Sequence, residues 1–270
     1  MVNQLSCTTN ILKITIMKNK LYIGLFAIVF VMGCSSSISF DEPVVPPEVG
    51  ISDLIISEIS TGVNTDDGDR NHYVELYNGT SAAVDLSDYA IGYHAVFDEN
   101  TLTDWDFSNE DHFLILNALL DVNTAYVIAS PIANATKVPS DIEWGTTSTS
   151  NANASIPLQL SGNSAIALLK KDADGTYTLK GTKYAIIDVF GDPNVARITA
   201  SGSSSSRNNF NWTVAGETNV RNRTFWRKSD VMKPSTDWVT SKGEDPISSE
   251  WILTEDRAWD YSNVGKFTGF

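Results

Sequence analysis

Residues 72–91 read HYVELYNGTSAAVDLSDYAI. Whether this stretch is helix or strand decides the class of the chain. Tyr73, Val74, Leu76 and Tyr77 are aromatic or aliphatic, the turn formers Asn78-Gly79-Thr80-Ser81 interrupt them, and Tyr89-Ala90-Ile91 resumes the apolar texture. Short runs of that composition, bounded by Gly, Asn, Asp and Ser, are strand signals. No long stretch here or elsewhere keeps a helical period of hydrophobicity.

The same texture extends in both directions. LIISEIS (54–60) precedes the stretch, and YAIGYHAV (89–96), HFLIL (112–116), TAYVIAS (124–130), IPLQL (156–160), SAIALLKK (164–171), TYTLK (176–180) and KYAIIDVF (183–190) continue it. Nine candidate strands between residues 54 and 190, joined by short connections, predict an all-β sandwich or barrel with no repeat and no second domain. Asp172-Ala-Asp174-Gly175 predicts a tight hairpin between SAIALLKK and TYTLK, because glycine accepts the positive φ such turns require. ITASGSSSSRNN (198–209) reads as a flexible surface loop, and the Trp-rich pieces NFNW, TFWRKS and DWVT after it are expected to cover one end of the fold.

Ahead of the strands, Met17-Lys-Asn-Lys20 leads into an uncharged apolar segment, Leu21 to Met32, and then Gly33-Cys34. A basic start, an apolar segment of about 7–15 residues and a small residue at the cut make a secretory leader. The segment is shorter than the roughly 20 apolar residues of a spanning helix. Val31-Met-Gly-Cys34 resembles the bacterial lipobox, which implies cleavage before Cys34 and acylation of its thiol, in preference to a buried structural cysteine or one beside a different cut. The expected organisation is a leader over 1–33 with Met17 as the true start, a Ser- and Pro-rich tether over 34–50, and one β domain with a C-terminal extension over 51–270. Ser35, where the inner-membrane retention signal of enterobacterial lipoproteins has aspartate, points to the outer membrane as the resting place.

Composition narrows the partners. Only Cys7 and Cys34 are present, so disulfides and thiolate metal sites are not expected downstream. Three lysines and no acidic residue precede Cys34, and the remainder carries 16 basic against 33 acidic residues, a net charge of −17. Such a surface repels phosphate backbones, so nucleic acid is not an expected partner. Five N-x-[ST] sequons, at Asn78, Asn134, Asn153, Asn211 and Asn222, carry no weight beside a bacterial lipobox.

Three ordered groups connect the strands to a family. Ser57-Glu58-Ile59, Val74-Glu75-Leu76-Tyr77-Asn78 and Asp85-Leu86-Ser87-Asp88-Tyr89 resemble, in order and spacing, the opening motifs of lamin-tail domains. Ile187-Asp188-Val189-Phe190-Gly191, Trp212, Thr224-Phe225-Trp226-Arg227-Lys228-Ser229 and Asp237-Trp238 resemble the C-terminal half of the version found in exported bacterial proteins. The resemblance covers most of residues 51–240 and implies an immunoglobulin-like β-sandwich with long loop insertions, acting as an accessory or interaction module without a catalytic constellation. Tyr89 stands where many members have tryptophan. The family pattern assigns no job to the insertions 97–112 and 131–155 or to the tail 243–270.

His72, His94 and His112 show no metal-ligand spacing, and no nucleophile elbow or nucleotide loop is present. If the first two family strands pair, Glu58 and Glu75 face one another and share a proton or a cation. A salt bridge to Arg227 or Lys228, or plain exposure, is the reading favoured over catalysis. Asp66, Asp67 and Asp69 form the densest acidic loop and the candidate calcium ligands, although the EF-hand register fails there. Arg221, Arg223 and Arg227, with Lys228 and Lys233 around Phe225 and Trp226, are the candidate binding residues, against a structural strand with at least one aromatic in the core. The function expected is therefore a non-catalytic, lipid-anchored envelope module for binding or assembly. Its cofactor is none, or calcium, and its partners are the membrane, through the anchor, and an unidentified protein or glycan. The alternatives are a nuclease-associated or metal-dependent hydrolytic surface protein, and a glycan-binding lipoprotein using Trp105, Trp144 or Trp251 as sugar platforms.

Overall fold

The computed structural model describes residues 50–62, 70–95, 104–147, 158, 160, 164–194, 213–217, 220 and 222–267. The expected leader, Cys34, the tether up to residue 49, Asp66, Asp67, Asp69, Arg221, Trp212 and the segment 198–209 lie outside these residues. The fold is all-β, as expected. Its strands are β1 (Ile55–Ser60), β2 (Tyr73–Asn78), β3 (Val84–Asp85), β4 (Tyr89–Ala95), β5 (Phe113–Ile115), β6 (Leu119–Leu120), β7 (Thr124–Ala129), β8 (Ile142–Glu143), β9 (Ser164–Lys171), β10 (Tyr177–Leu179), β11 (Thr182–Phe190), β12 (Thr224–Arg227) and β13 (Trp251–Leu253), and its α-helix among the described residues is α1 (Trp238–Lys242). None of the described helices is long and apolar enough to cross a membrane.

Two sheets enclose one core. The first runs β13-β12-β1-β2-β7-β8, the second β10-β11-β9-β4-β5, and β3 and β6 form a separate ribbon. Neighbours are antiparallel except β7 and β8. Leu54, Ile56, Ile59, Val74 and Leu76 from the first sheet meet Ile91, Ile166, Leu168, Val189 and Phe190 from the second, all in one buried cluster. The rings of Phe225, Trp238 and Trp251 surround Phe190 with centroids 5.0–5.1 Å away. That places Phe225 of TFWRKS and Trp238 of DWVT in the core, while NFNW lies outside the described residues.

Strict alternation along Ile55-Ile56-Ser57-Glu58-Ile59-Ser60 would send Ile56 and Ile59 to opposite faces. The register instead slips between Ile56, which opposes Leu76, and Glu58, which opposes Glu75. This bulge at Ser57 returns Ile59 to the core and turns Glu58 outward. A second bulge lies in β11 between Ile186 and Asp188. The two irregularities meet across the core, where Asp188 Oδ2 accepts the Ile56 N–H at 2.8 Å.

The family-like motifs have local physical causes. Asp85 caps the 3-10 turn Leu86–Asp88 by accepting the Ser87 N–H, which seats Leu86 in the core. Asn78 is fully buried and its amide donates to the Ala82, Leu120 and Asp121 carbonyls while accepting from Thr80. That amide ties β2 to the β3–β6 ribbon.

The hairpin expected at Asp172–Gly175 is elsewhere. β9 and β10 do not pair; both pair with β11, and the two-residue turn is Lys180-Gly181, with φ of 46° and 83°. Gly175 serves a close crossing rather than a positive φ: a Cβ there would lie 2.3 Å from the Tyr184 carbonyl oxygen, where the chain passes over β11. Gly175→Ala is expected to cost about 1–3 kcal/mol through backbone displacement, measured by urea unfolding; an unchanged midpoint would contradict the crossing. Of the predicted strand IPLQL only Leu158 and Leu160 are described, and both are buried outside any strand.

Candidate functional site

The tail after β13 does what the sequence left unassigned. It folds over the outer face of the first sheet, where Val264 and Tyr261 pack on Tyr73, Val127, Ala129 and Val138. Trp259 Nε1 donates to the Thr61 carbonyl, and Trp226 Nε1 to Asn263. The described part of the insertion 131–155 joins this cover through Val138 and supplies β8.

Beneath the cover lie Glu58 and Glu75, directly opposite one another as expected from strand pairing. The expected salt bridge or exposure does not hold. They are 1% and 0% exposed, and no basic side chain among the described residues pairs with either. Glu58 accepts from the Tyr73 hydroxyl; Glu75 accepts from Ser57 Oγ at 2.7 Å and from the Gly265 N–H at 2.7 Å. Burial, and next the neighbouring Glu75, push the Glu58 carboxyl up to about 8. Burial pushes Glu75 up to about 7 against the pull of its two donors. The pair is sealed in an environment that favours the protonated carboxyl, and the covering segment is tied to it through the Gly265 N–H.

Arg227 is engaged inside the fold. It is fully buried, donates from Nη2 to Asp188 Oδ1 at 3.0 Å, and lies 4.7 Å from the centre of the Trp251 ring. Asp188 also accepts the Ser235 N–H. Burial raises the Asp188 carboxyl above its ordinary value, against the pull of Arg227 and the two N–H donors. Arg223 is buried as well, donating to the Thr254 carbonyl and pairing with Glu217 at 3.4 Å. Lys228 donates to the Pro246 and Ile247 carbonyls. The strand β12 is therefore the structural element the residue pattern favoured, and both Phe225 and Trp226 are buried.

His72 is buried, with Nε2 against the Gly62 carbonyl and Nδ1 at 3.0 Å from both the Leu158 carbonyl oxygen and the Leu160 N–H, so its ring is tied to three backbone groups. No group of three His, Cys, Asp or Glu side chains able to hold a metal ion occurs among the described residues. Of the three candidate sugar platforms, Trp144 and Trp251 are 8% and 1% exposed and present no ring face to solvent. Trp105 is half-buried and lines a surface groove.

That groove has a volume of about 220 Å³. Three segments build it: Asp104 and Trp105 from the insertion 97–112, Asp192 and Asn194 after β11, and Thr236, Asp237 and Val239 at the start of α1. The indole is fixed from behind. It stacks on Phe107 at 5.8 Å and meets His94 edge-on at 6.2 Å, while Phe107 packs edge-on against Tyr177 at 5.2 Å. Gly92 in β4 makes the room, since a Cβ there would lie 2.4 Å from the Phe107 ring. Gly92→Ala is expected to displace Phe107 and Trp105 while the two sheets persist, at a cost of about 1–3 kcal/mol. The check is the Trp105 indole resonance, which shifts if this packing holds and stays fixed if it does not.

The groove's carboxylates are held in place. Asp104 Oδ1 accepts the Trp105 N–H and Asp192 Oδ1 the Asn194 N–H, both at 2.8 Å, and Asp237 accepts from the Thr240 N–H and hydroxyl. Asp104 Oδ2 and Asp192 Oδ2 have no partner among the described residues. A larger cavity of about 350 Å³ is lined by Glu217, Arg223, Trp251 and Thr254, but its guanidinium is already engaged and its indole is covered. Sequence reasoning named Trp105 but had no signal for its partners, because Asp192 and Asp237 join it only through the tertiary fold.

No known family's profile matches the sequence, and no curated protein matches it. A crystal structure of a DUF4876 family protein from Bacteroides thetaiotaomicron is similar at a TM-score of 0.38 and 13% identity, over 77% of this chain and 69% of that one.

Proposed function

We propose that this chain is a non-catalytic, lipid-anchored protein of the bacterial cell envelope, an immunoglobulin-like sandwich of the lamin-tail kind that binds a partner through the groove at Trp105. The observation that carries the reading is the groove itself, an indole fixed by Phe107 and His94 and ringed by immobilised acceptors. Supporting it, the lamin-tail-like motifs sit at structural positions: the Ser57 bulge, the Asn78 tie, the Asp85 cap and the Asp188–Arg227 pair. The leader-like start and Cys34 support the anchor.

Metabolic labelling with a palmitate analogue and membrane fractionation test the placement. The wild-type chain takes up label and pellets with outer membranes, whereas Cys34→Ala is unlabelled and is not retained. An unlabelled wild type, or a variant that fractionates identically, overturns the anchor. A Ca²⁺- or Mg²⁺-dependent phosphodiesterase activity abolished by substituting Asp66 and Asp67 would replace the binding role with a hydrolytic one.

A further inference from the structure

We infer that the groove at Trp105 binds a neutral glycan, with one sugar ring laid against the indole and its hydroxyls donating to Asp104, Asp192 and Asn194. This rests on the groove being the contact face proposed above. At about 220 Å³ the space falls below the roughly 300–1,000 Å³ of sites that enclose a drug-sized ligand. It holds a single ring, with the rest of a chain running out over the surface.

The lining selects the class. Asp104, Asp192, Asn194, Thr236 and Asp237 offer acceptor oxygens, and among the described residues no Lys, Arg or His lines the groove. A ligand there has to donate hydrogen bonds and cannot carry net negative charge, which excludes phosphates and uronic acids. The −17 charge carried beyond Cys34 works in the same direction. Hydroxyl-to-carboxylate hydrogen bonds are charge-assisted and strong, and the C–H face of a pyranose matches a flat indole.

A compact cation is the competing donor-rich ligand. It would need carboxylates converging on one point, and Asp104, Asp192 and Asp237 form no group able to hold a metal ion. They stand instead on three separate segments around an apolar floor of Val189, Pro193 and Trp238, a layout suited to several hydroxyls spread around a ring. The site is also preorganised. The indole is clamped by Phe107 and His94, and one oxygen of each of Asp104 and Asp192 is already tied to backbone, so little ordering cost falls on binding.

The test is calorimetric titration and array binding of the purified protein with five probes: a neutral gluco-oligosaccharide, a neutral manno-oligosaccharide, an oligogalacturonate, a chitosan oligomer and polylysine. The expected result is binding of a neutral oligosaccharide that changes little with salt, weakens by about tenfold or more in Trp105→Ala, weakens in Asp192→Ala, and survives in Trp105→Phe. Circular dichroism of each variant separates lost binding from lost folding. Salt-sensitive, Trp105-dependent binding of chitosan or polylysine without binding of neutral sugars overturns the glycan class and leaves the groove as the contact face. Binding that ignores both Trp105 and Asp192, or no binding of any probe, overturns the glycan assignment; in the first case the groove reading falls with it.

Discussion

Raising the pH from about 5 to about 8 lowers the thermal midpoint of the wild-type chain, and Glu58→Gln/Glu75→Gln removes most of that fall. Both carboxyls titrate higher in the fold, near 8 and 7, than their ordinary 4.5. Between those limits the folded state holds more protons than the unfolded state, so stability declines as pH rises. The contribution is complete below pH 4.5 and lost as pH climbs through 7 and 8. At about 1.4 kcal/mol per unit of displacement, the pair accounts for several kcal/mol, a fall on the order of 10 °C in a domain of this size. Repulsion within an acidic surface also grows over this range, and the double amide variant keeps that surface intact, so the difference between the two proteins isolates the pair. The single variants are non-additive, because Glu75 itself helps raise Glu58. A wild type whose midpoint is flat across the range, or a double variant that falls as steeply, contradicts the sealed pair.

Arg227→Met is expected to cost about 3–5 kcal/mol, because it leaves Asp188 as an uncompensated charge between the sheets. Arg227 and Asp188 are both fully buried, and Arg227 Nε and Nη1 have no hydrogen-bond partner among the described residues. Glu250 Oε2 lies 3.2 Å from Nη2, close enough for attraction but without hydrogen-bond geometry. In many buried pairs an apolar double replacement restores stability. Here Arg227→Met/Asp188→Leu does not, since it also orphans the Ile56 and Ser235 N–H groups, each costing about 1–3 kcal/mol. Urea unfolding of the single and double variants checks both statements. A single variant within about 1 kcal/mol of wild type, or a fully restored double variant, shows that the carboxylate is not the tie between the two bulges.

What the sequence disclosed, and what it withheld, follows from the range of the forces involved. β9 was legible to its ends, because Ser164–Lys171 holds a short, continuous apolar run of the length of a buried strand, closed by the Asp172 turn. The facing of Glu58 and Glu75 was legible too, once two neighbouring strands pair. Their burial was not: it comes from Tyr261–Gly265, about as distant along the chain as the fold allows. DADG misled because Gly175 answers to a steric contact with Tyr184 rather than to a turn's backbone angles. Trp238 was read within a Trp-rich piece but opens a helix, with Asp237 as its cap. The three candidate platforms were equivalent as letters, and only packing around Trp144 and Trp251 separated them from Trp105.

The proposed binding face is tested most directly by two-dimensional ¹H–¹⁵N spectra of the tryptophan indoles during titration with a neutral oligosaccharide. The chain has seven tryptophans, and Trp105→Phe identifies the one in the groove. The Trp105 signal is predicted to move in a saturable way while those of Trp144 and Trp251 stay in place. A Trp105 signal that stays fixed while indoles elsewhere respond would contradict the assignment of this groove as the binding face.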